Sequence, residues 1–168
     1  MTENHALESA LSRFSSDTGH LVIGDRTASS LAEEHGTPLY LYARDVVLRR
    51  HDALRACLPE GVQIYYAVKA NPHGGVLQLM GGLYDGLDVS SMGEIRKALD
   101  AGISPASMSY AGPGKTVGEL DFAVTQRIGS ISVESERELQ HVSAVCREKR
   151  TTARVMIRVN PDFAMNQS

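Results

Sequence analysis

From Gln63 onward the chain alternates short apolar runs with amphipathic helical stretches, at roughly two dozen residues per unit. Strands are predicted near Gln63–Val68, Gly86–Ser90, Ser107–Ala111, Ile128–Val133 and Arg154–Val159. Helices are predicted over Asp45–Leu58, Val76–Gly81, Gly93–Ala101, Val117–Arg127 and Glu136–Lys149. Three of these helices open on Ser91-x-x-Glu94, Thr116-x-x-Glu119 and Ser135-x-x-Glu138, each just past a strand, which is the pattern of a capping box. Gly102 and Gly129 follow two of the helices, where a left-handed residue is wanted. Strand–helix alternation of this kind requires parallel strands joined by helical crossovers. The periodicity fits an open doubly wound sheet and a TIM barrel equally.

Upstream the pattern differs. Residues 1–18 read as a polar helix or tail. Leu21-Val22-Ile23 before Gly24-Asp25 suggests a hairpin, Ser29–His35 a helix, and Leu39–Tyr42 after Thr37-Pro38 a strand. The bulk numbers narrow the function classes. The 168 residues are 42% hydrophobic and 22% charged, enough apolar matter for a real core and too much for a disordered chain. The net charge of −3, without a Lys/Arg run, gives no reason to expect nucleic acid. No apolar run approaches the ~20 residues of a membrane span, and the opening MTENHALESALSRF has no apolar core of the signal-peptide kind. Cys57 and Cys146 lack metal-ligand spacing and read as buried free thiols of a reducing cytoplasm.

The chemistry centres on Lys69. It ends the apolar run QIYYAV and is followed at once by Asn71-Pro72 and Gly74-Gly75, so it is delivered to the C-terminal edge of a strand. Partial desolvation there would ease loss of its proton and leave an amine able to attack a carbonyl. The plain alternative is a lysine snorkelling at a strand end. Asp88 ends the second strand, where a turn residue is also ordinary. Arg158, inside the apolar MIRV, must face a polar cavity or a partner. Glu94 is fully explained by its capping position. Tyr65 and Tyr66 alternate faces, one toward a barrel interior and one under helices.

Taken together, YAVKAN (Tyr66–Asn71), GTPLYLY (Gly36–Tyr42), GLDVSSMGE (Gly86–Glu94) and IRVNP (Ile157–Pro161) resemble, in order, the motifs of pyridoxal-phosphate (PLP) enzymes with an alanine-racemase-like barrel, above all the ornithine and diaminopimelate decarboxylases. Met92 stands where a small residue is usual. AGPGK (Ala111–Lys115) and RVNPDF (Arg158–Phe163) look more like the relatives that act on carrier-protein-linked amino acids, or those associated with exosortases. The resemblance implies a (β/α)8 barrel, of which about five strands are present. A barrel of this type runs to about 250 residues, so the chain is expected to be the N-terminal part of a longer enzyme and inactive alone. It implies residues 1–42 as a segment whose strands join a C-terminal β-domain, and residues 43–168 as an incomplete PLP-binding barrel. It also implies a Schiff base between Lys69 and PLP, Asp88 and Arg158 beside the cofactor, a cytoplasmic homodimer, and decarboxylation of an amino acid or its carrier-linked form.

Three other readings compete. Alanine racemase shares the lysine motif, but Pro72-His73-Gly74 does not reproduce its Tyr-Gly-His continuation. A non-catalytic PLP carrier would be the barrel alone. SYAGPGKT (Ser109–Thr116) nearly matches the phosphate loop G-x-x-x-x-G-K-[ST], yet Ser109 replaces the first glycine and Pro113 removes a cradle N–H. No G-x-G-x-x-G occurs, and the six histidines show no metal-ligand pairing. His73 reads as a loop residue.

Overall fold

The computed structural model describes residues 8–9, 11–17 and 19–159; Asn160 to Phe163 of the RVNPDF stretch lie outside the described residues. The chain forms two compact units, Met1–Val62 and Gln63–Ser168.

In the first unit, β1 (Ser15–Asp17), β2 (His20–Ile23) and β3 (Arg26–Thr27) make a three-stranded antiparallel sheet in chain order. The expected hairpin is present, turning at Gly24 with φ +68°, and β1 adds a strand within the stretch read as a polar helix or tail. Helix α1 (Ala28–His35) is capped by Thr27, whose Oγ1 accepts from the Ser30 N–H at 3.2 Å. Helix α2 spans Arg44–Ala56. Leu39–Tyr42 is not a strand: it has no ladder partner among the described residues, and Tyr40 is 88% exposed. β-propensity alone does not make a strand without a neighbouring backbone. Cys57 caps the end of α2 and is exposed, against the expectation of burial; Cys146 is half-buried.

The second unit carries the alternation. Its elements are β4 (Tyr65–Ala67), α3 (Gly74–Leu83), β5 (Gly86–Val89), α4 (Met92–Asp100), β6 (Met108–Tyr110), α5 (Val117–Thr125), β7 (Ser130–Val133), α6 (Glu136–Glu148) and β8 (Val155–Ile157). All four strand pairings are parallel and the sheet order is β4-β5-β6-β7-β8. This order decides between the two architectures that periodicity left open. A doubly wound sheet reverses the direction of strand addition and leaves non-consecutive neighbours. Here each strand is added beside the one before it, as in an arc of a TIM barrel, and successive helices pack on one another.

The sheet has two chemically different faces. Leu87, Val89, Met108, Tyr110, Ile131 and Val133 are buried, covered by buried helix residues such as Leu77, Ile95, Leu120 and Val142. The residues between them point the other way. In register across the sheet these are Ala67, Asp88 and Ser109, then Ser130 and Ser132, then Met156. The second row is small and polar, which suits a face that receives a ligand better than one packed into a core.

Two expectations about helix ends need correction. Gly102 is left-handed as predicted, at φ +81°, but Gly129 is not; that role falls to Arg127 at φ +58°. Gly129 is required for close approach instead, since a Cβ there would run into the Ala106 carbonyl oxygen. Only Thr116 and Glu119 complete a reciprocal capping box. Ser91 and Ser135 do cap their helices, but Glu94 and Glu138 reach one residue further back, to the N–H groups of Ser90 and Glu134 at 2.7 and 2.9 Å.

Candidate active site

Lys69 sits on a single 3-10 turn, Val68–Ala70, that begins where β4 ends. Val68 is fully buried and pins the turn to the sheet, while Lys69 projects from it and is exposed. The expected partial desolvation is therefore not seen. Tyr66 donates from its hydroxyl to the Asn71 carbonyl oxygen at 3.3 Å and stacks on Tyr84, which fixes the far side of the turn. Tyr65 and Tyr66 do take opposite faces, in register with Gly86 and Leu87.

Asp88 lies one strand over, in register with Ala67 on one side and Ser109 on the other. Burial pushes its carboxyl above the ordinary carboxylate range; the Ser109 hydroxyl and the positive charge of Lys69 pull it down, and Glu94 pushes it up. Lys69 and Asp88 are thus close enough to feel each other's charge. The Glu94 carboxylate is held by the Ser90 N–H and hydroxyl at 2.7 and 3.0 Å, so it serves the loop, as its position suggested.

Arg158 follows β8. Its N–H donates to the Val133 carbonyl oxygen at 3.0 Å, and its guanidinium pairs with Glu134 at 3.2 Å while remaining 54% exposed. Three strands separate it from Lys69 in the sheet, so the arc places all three predicted residues toward its C-terminal edge, with Lys69 and Asp88 on adjoining strands and Arg158 after the last. Glu134 and Ser109 were not singled out by sequence reasoning. The one available signal for Ser109 was its alternation with buried Met108 and Tyr110; an acidic residue at a strand end gives none for Glu134.

The stretch resembling a phosphate loop turns out to be internal architecture. The Lys115 side chain is 1% exposed; its Nζ donates to the Gly112 carbonyl oxygen at 2.7 Å and pairs with Glu138 at 3.2 Å. A phosphate-binding lysine needs a free ammonium, and this one is enclosed. At the start of the helix that follows, the Thr116 and Glu119 N–H groups are already taken by the Glu119 carboxylate and the Thr116 hydroxyl. His73 caps α3, its Nδ1 accepting from the Gly75 N–H at 3.3 Å. Among the described residues no cluster of His, Cys, Asp and Glu could hold a metal, and no helix is long and apolar enough to cross a membrane.

Lys69 and Asp88 stand toward the C-terminal edge of adjoining strands of a parallel sheet, whose face away from the buried helix contacts carries Ala67, Ser109, Ser130 and Ser132. These residues fit an aldehyde cofactor. Comparison with known proteins agrees with that geometry. Residues 44–168 match the family described as pyridoxal-dependent decarboxylase, pyridoxal binding domain, and the chain belongs to that family. Diaminopimelate decarboxylase of Aquifex aeolicus is 41% identical over 144 residues, 86% of this chain and 34% of its own length. An L-glutamyl-(BtrI acyl-carrier protein) decarboxylase of Niallia circulans is 35% identical over 80% of this chain and 31% of its own. Among solved structures, AQ1208 from Aquifex aeolicus superposes with a TM-score of 0.84 at 38% identity, over 93% of this chain and 39% of that one. Diaminopimelate decarboxylase of Helicobacter pylori, complexed with L-lysine, gives 0.72 at 34% identity, over 80% of this chain and 34% of that one. The chain spans about a third of the length of these relatives.

Proposed function

We propose that this chain is the cofactor-binding part of a PLP-dependent amino-acid decarboxylase in which Lys69 forms the covalent link to the cofactor aldehyde. The carrying observation is the placement of Lys69 directly after β4, with Asp88 in register beside Ala67 on the adjoining parallel strand, in a chain whose family is defined by pyridoxal binding. PLP, when bound, supplies an electron sink for the electrons left behind as carbon dioxide departs.

The protein's own part is proton handling and placement. An amine attacks a carbonyl only after losing its proton, and Asp88, whose affinity for a proton burial has raised, is the base beside Lys69 to receive it. The Ser109 hydroxyl, in register beside it, favours the charged form of Asp88. Arg158, held by Glu134 after the last strand of the arc, would be a further residue holding the cofactor. Residues 1–42 serve a β-domain supplied by the rest of the protein, and the enzyme works as a homodimer.

Diaminopimelate- or ornithine-like amino acids are the first substrates to try, and a glutamyl group on a carrier protein the second, on the strength of the Niallia circulans relative. In the full-length protein, Lys69→Ala is expected to abolish both the borohydride-fixed PLP adduct and carbon dioxide release. Lys69→Arg should not rescue either, since a guanidinium has no free lone pair near neutral pH. A fixed adduct persisting on the Lys69→Ala protein overturns the assignment.

A further inference from the structure

We infer that Lys115 and Glu138 are positioning residues for Arg158, acting through Glu134; this rests on the reading of Arg158 as a cofactor-side residue. The contacts form a continuous line. Glu138 occupies the first turn of α6, and its two carboxylate oxygens are divided between two neighbouring loops. Oε1 accepts the Lys115 N–H at 3.3 Å. Oε2 accepts the Lys115 ammonium at 3.2 Å and the Glu134 N–H at 2.9 Å. The Glu134 carboxylate, carried on that fixed backbone, takes the Arg158 guanidinium at 3.2 Å.

The geometry is more than a local cap. A cap needs only the N–H groups at the start of its own helix, and Ser135 already provides that by accepting the Glu138 N–H at 3.2 Å. Glu138 is thereby freed to reach outward, and it is enclosed with Lys115 at 10% and 1% side-chain exposure. Buried charged groups hold one geometry where exposed ones sample many. The loop after β6 and the loop after β7 are thus locked to each other at the ligand-side edge. The exposed Arg158–Glu134 pair, weak alone, inherits a fixed anchor from the buried one.

The test uses the full-length apoprotein and phenylglyoxal, which modifies accessible, unpaired arginine, with the Arg158 peptide followed by mass spectrometry. Glu138→Gln keeps the shape but loses the charge, and Lys115→Met removes the other partner. Glu134→Gln is the direct control. Arg158 modification is expected to quicken about two- to fivefold in all three, the range that an exposed ion pair of this kind is worth. After PLP is added, the pH midpoint of the visible cofactor band is expected to move in Glu138→Gln as it moves in Arg158→Gln, with no further change in the double variant. A purely architectural pair would lower the melting temperature and leave both readouts alone. An unchanged Arg158 rate in Glu138→Gln and Lys115→Met proteins with native circular dichroism overturns the inference. If wild type takes up no PLP, the functional reading fails, while the arginine measurement still decides this one.

Discussion

A hydrogen atom in place of a side chain at Gly129 lets the start of β7 lie against the backbone before β6, where a methyl group would meet the Ala106 carbonyl. Because backbone must give way, Gly129→Ala is expected to cost about 1–3 kcal/mol, the usual penalty for overpacking, read as a lower urea midpoint with unchanged slope. Sequence reasoning took this glycine for a left-handed helix end. Local pattern shows that a glycine is demanded and not which of its two freedoms is in use. Arg127, two positions earlier, takes the left-handed conformation itself, which no propensity scale would have assigned to arginine. The position of Lys69 was legible for the opposite reason: a strand, a lysine and a proline break in succession place it just past a strand end without any long-range contact. Asp88 carries a second consequence. Its burial-raised carboxyl costs stability at neutral pH, and that cost is relieved as pH falls through the folded value toward the ordinary 3.8. Asp88→Asn should therefore melt higher than wild type at pH 7, with the advantage vanishing on acidification. A gap independent of pH would refute the assigned sign.

The strand–helix alternation was readable because three of its units advertise themselves twice, by an apolar run and by a Ser or Thr three residues ahead of a Glu. What the second signal could not reveal is where the Glu side chain goes. Glu119 closes its own box, whereas Glu138 reaches across to Lys115, a contact 23 positions away in sequence. Lys115 was accordingly read within its own loop, as part of a phosphate-loop likeness, when its partner lay on the next helix. Leu39–Tyr42 failed similarly: composition announced a strand, but a strand is a relation between two backbones. Removing one member of the enclosed pair leaves an uncompensated charge, so Lys115→Met is expected to cost about 3–5 kcal/mol. The double variant Lys115→Met with Glu138→Gln should lose clearly less, and equal losses would contradict the pairing. Burial works to raise the Glu138 carboxyl, but the Glu134 N–H and the Lys115 ammonium outweigh it, and the group is held below its ordinary value of 4.5. Its stabilisation is complete above that value and is lost as pH falls through the lower folded one. Thermal melts of wild type and Glu138→Gln should hence be fully separated above pH 4.5 and draw together as the pH falls through the lower folded value.

At the scale of the molecule the arc is asymmetric. Helices bury one face, and at the β8 edge, which has no further partner among the described residues, Ile157 is 71% and Val159 77% exposed. An apolar, unpaired edge templates association. The 168-residue chain alone is expected to self-associate and to bind the dye ANS, and Ile157→Lys should reduce both; a monodisperse, dye-silent chain would contradict this. The same arc has a consequence for synthesis. Every strand of the larger sheet pairs with the strand made just before it, so no unit must wait for a distant partner, and loop closure stays short. Such a sheet can grow at the ribosome one strand and one helix at a time, each new unit templated by its predecessor. The row of Ala67, Asp88, Ser109 and Ser130 would then be laid down progressively, with the strands before Lys69 and around Asp88 already paired before Arg158 has been translated.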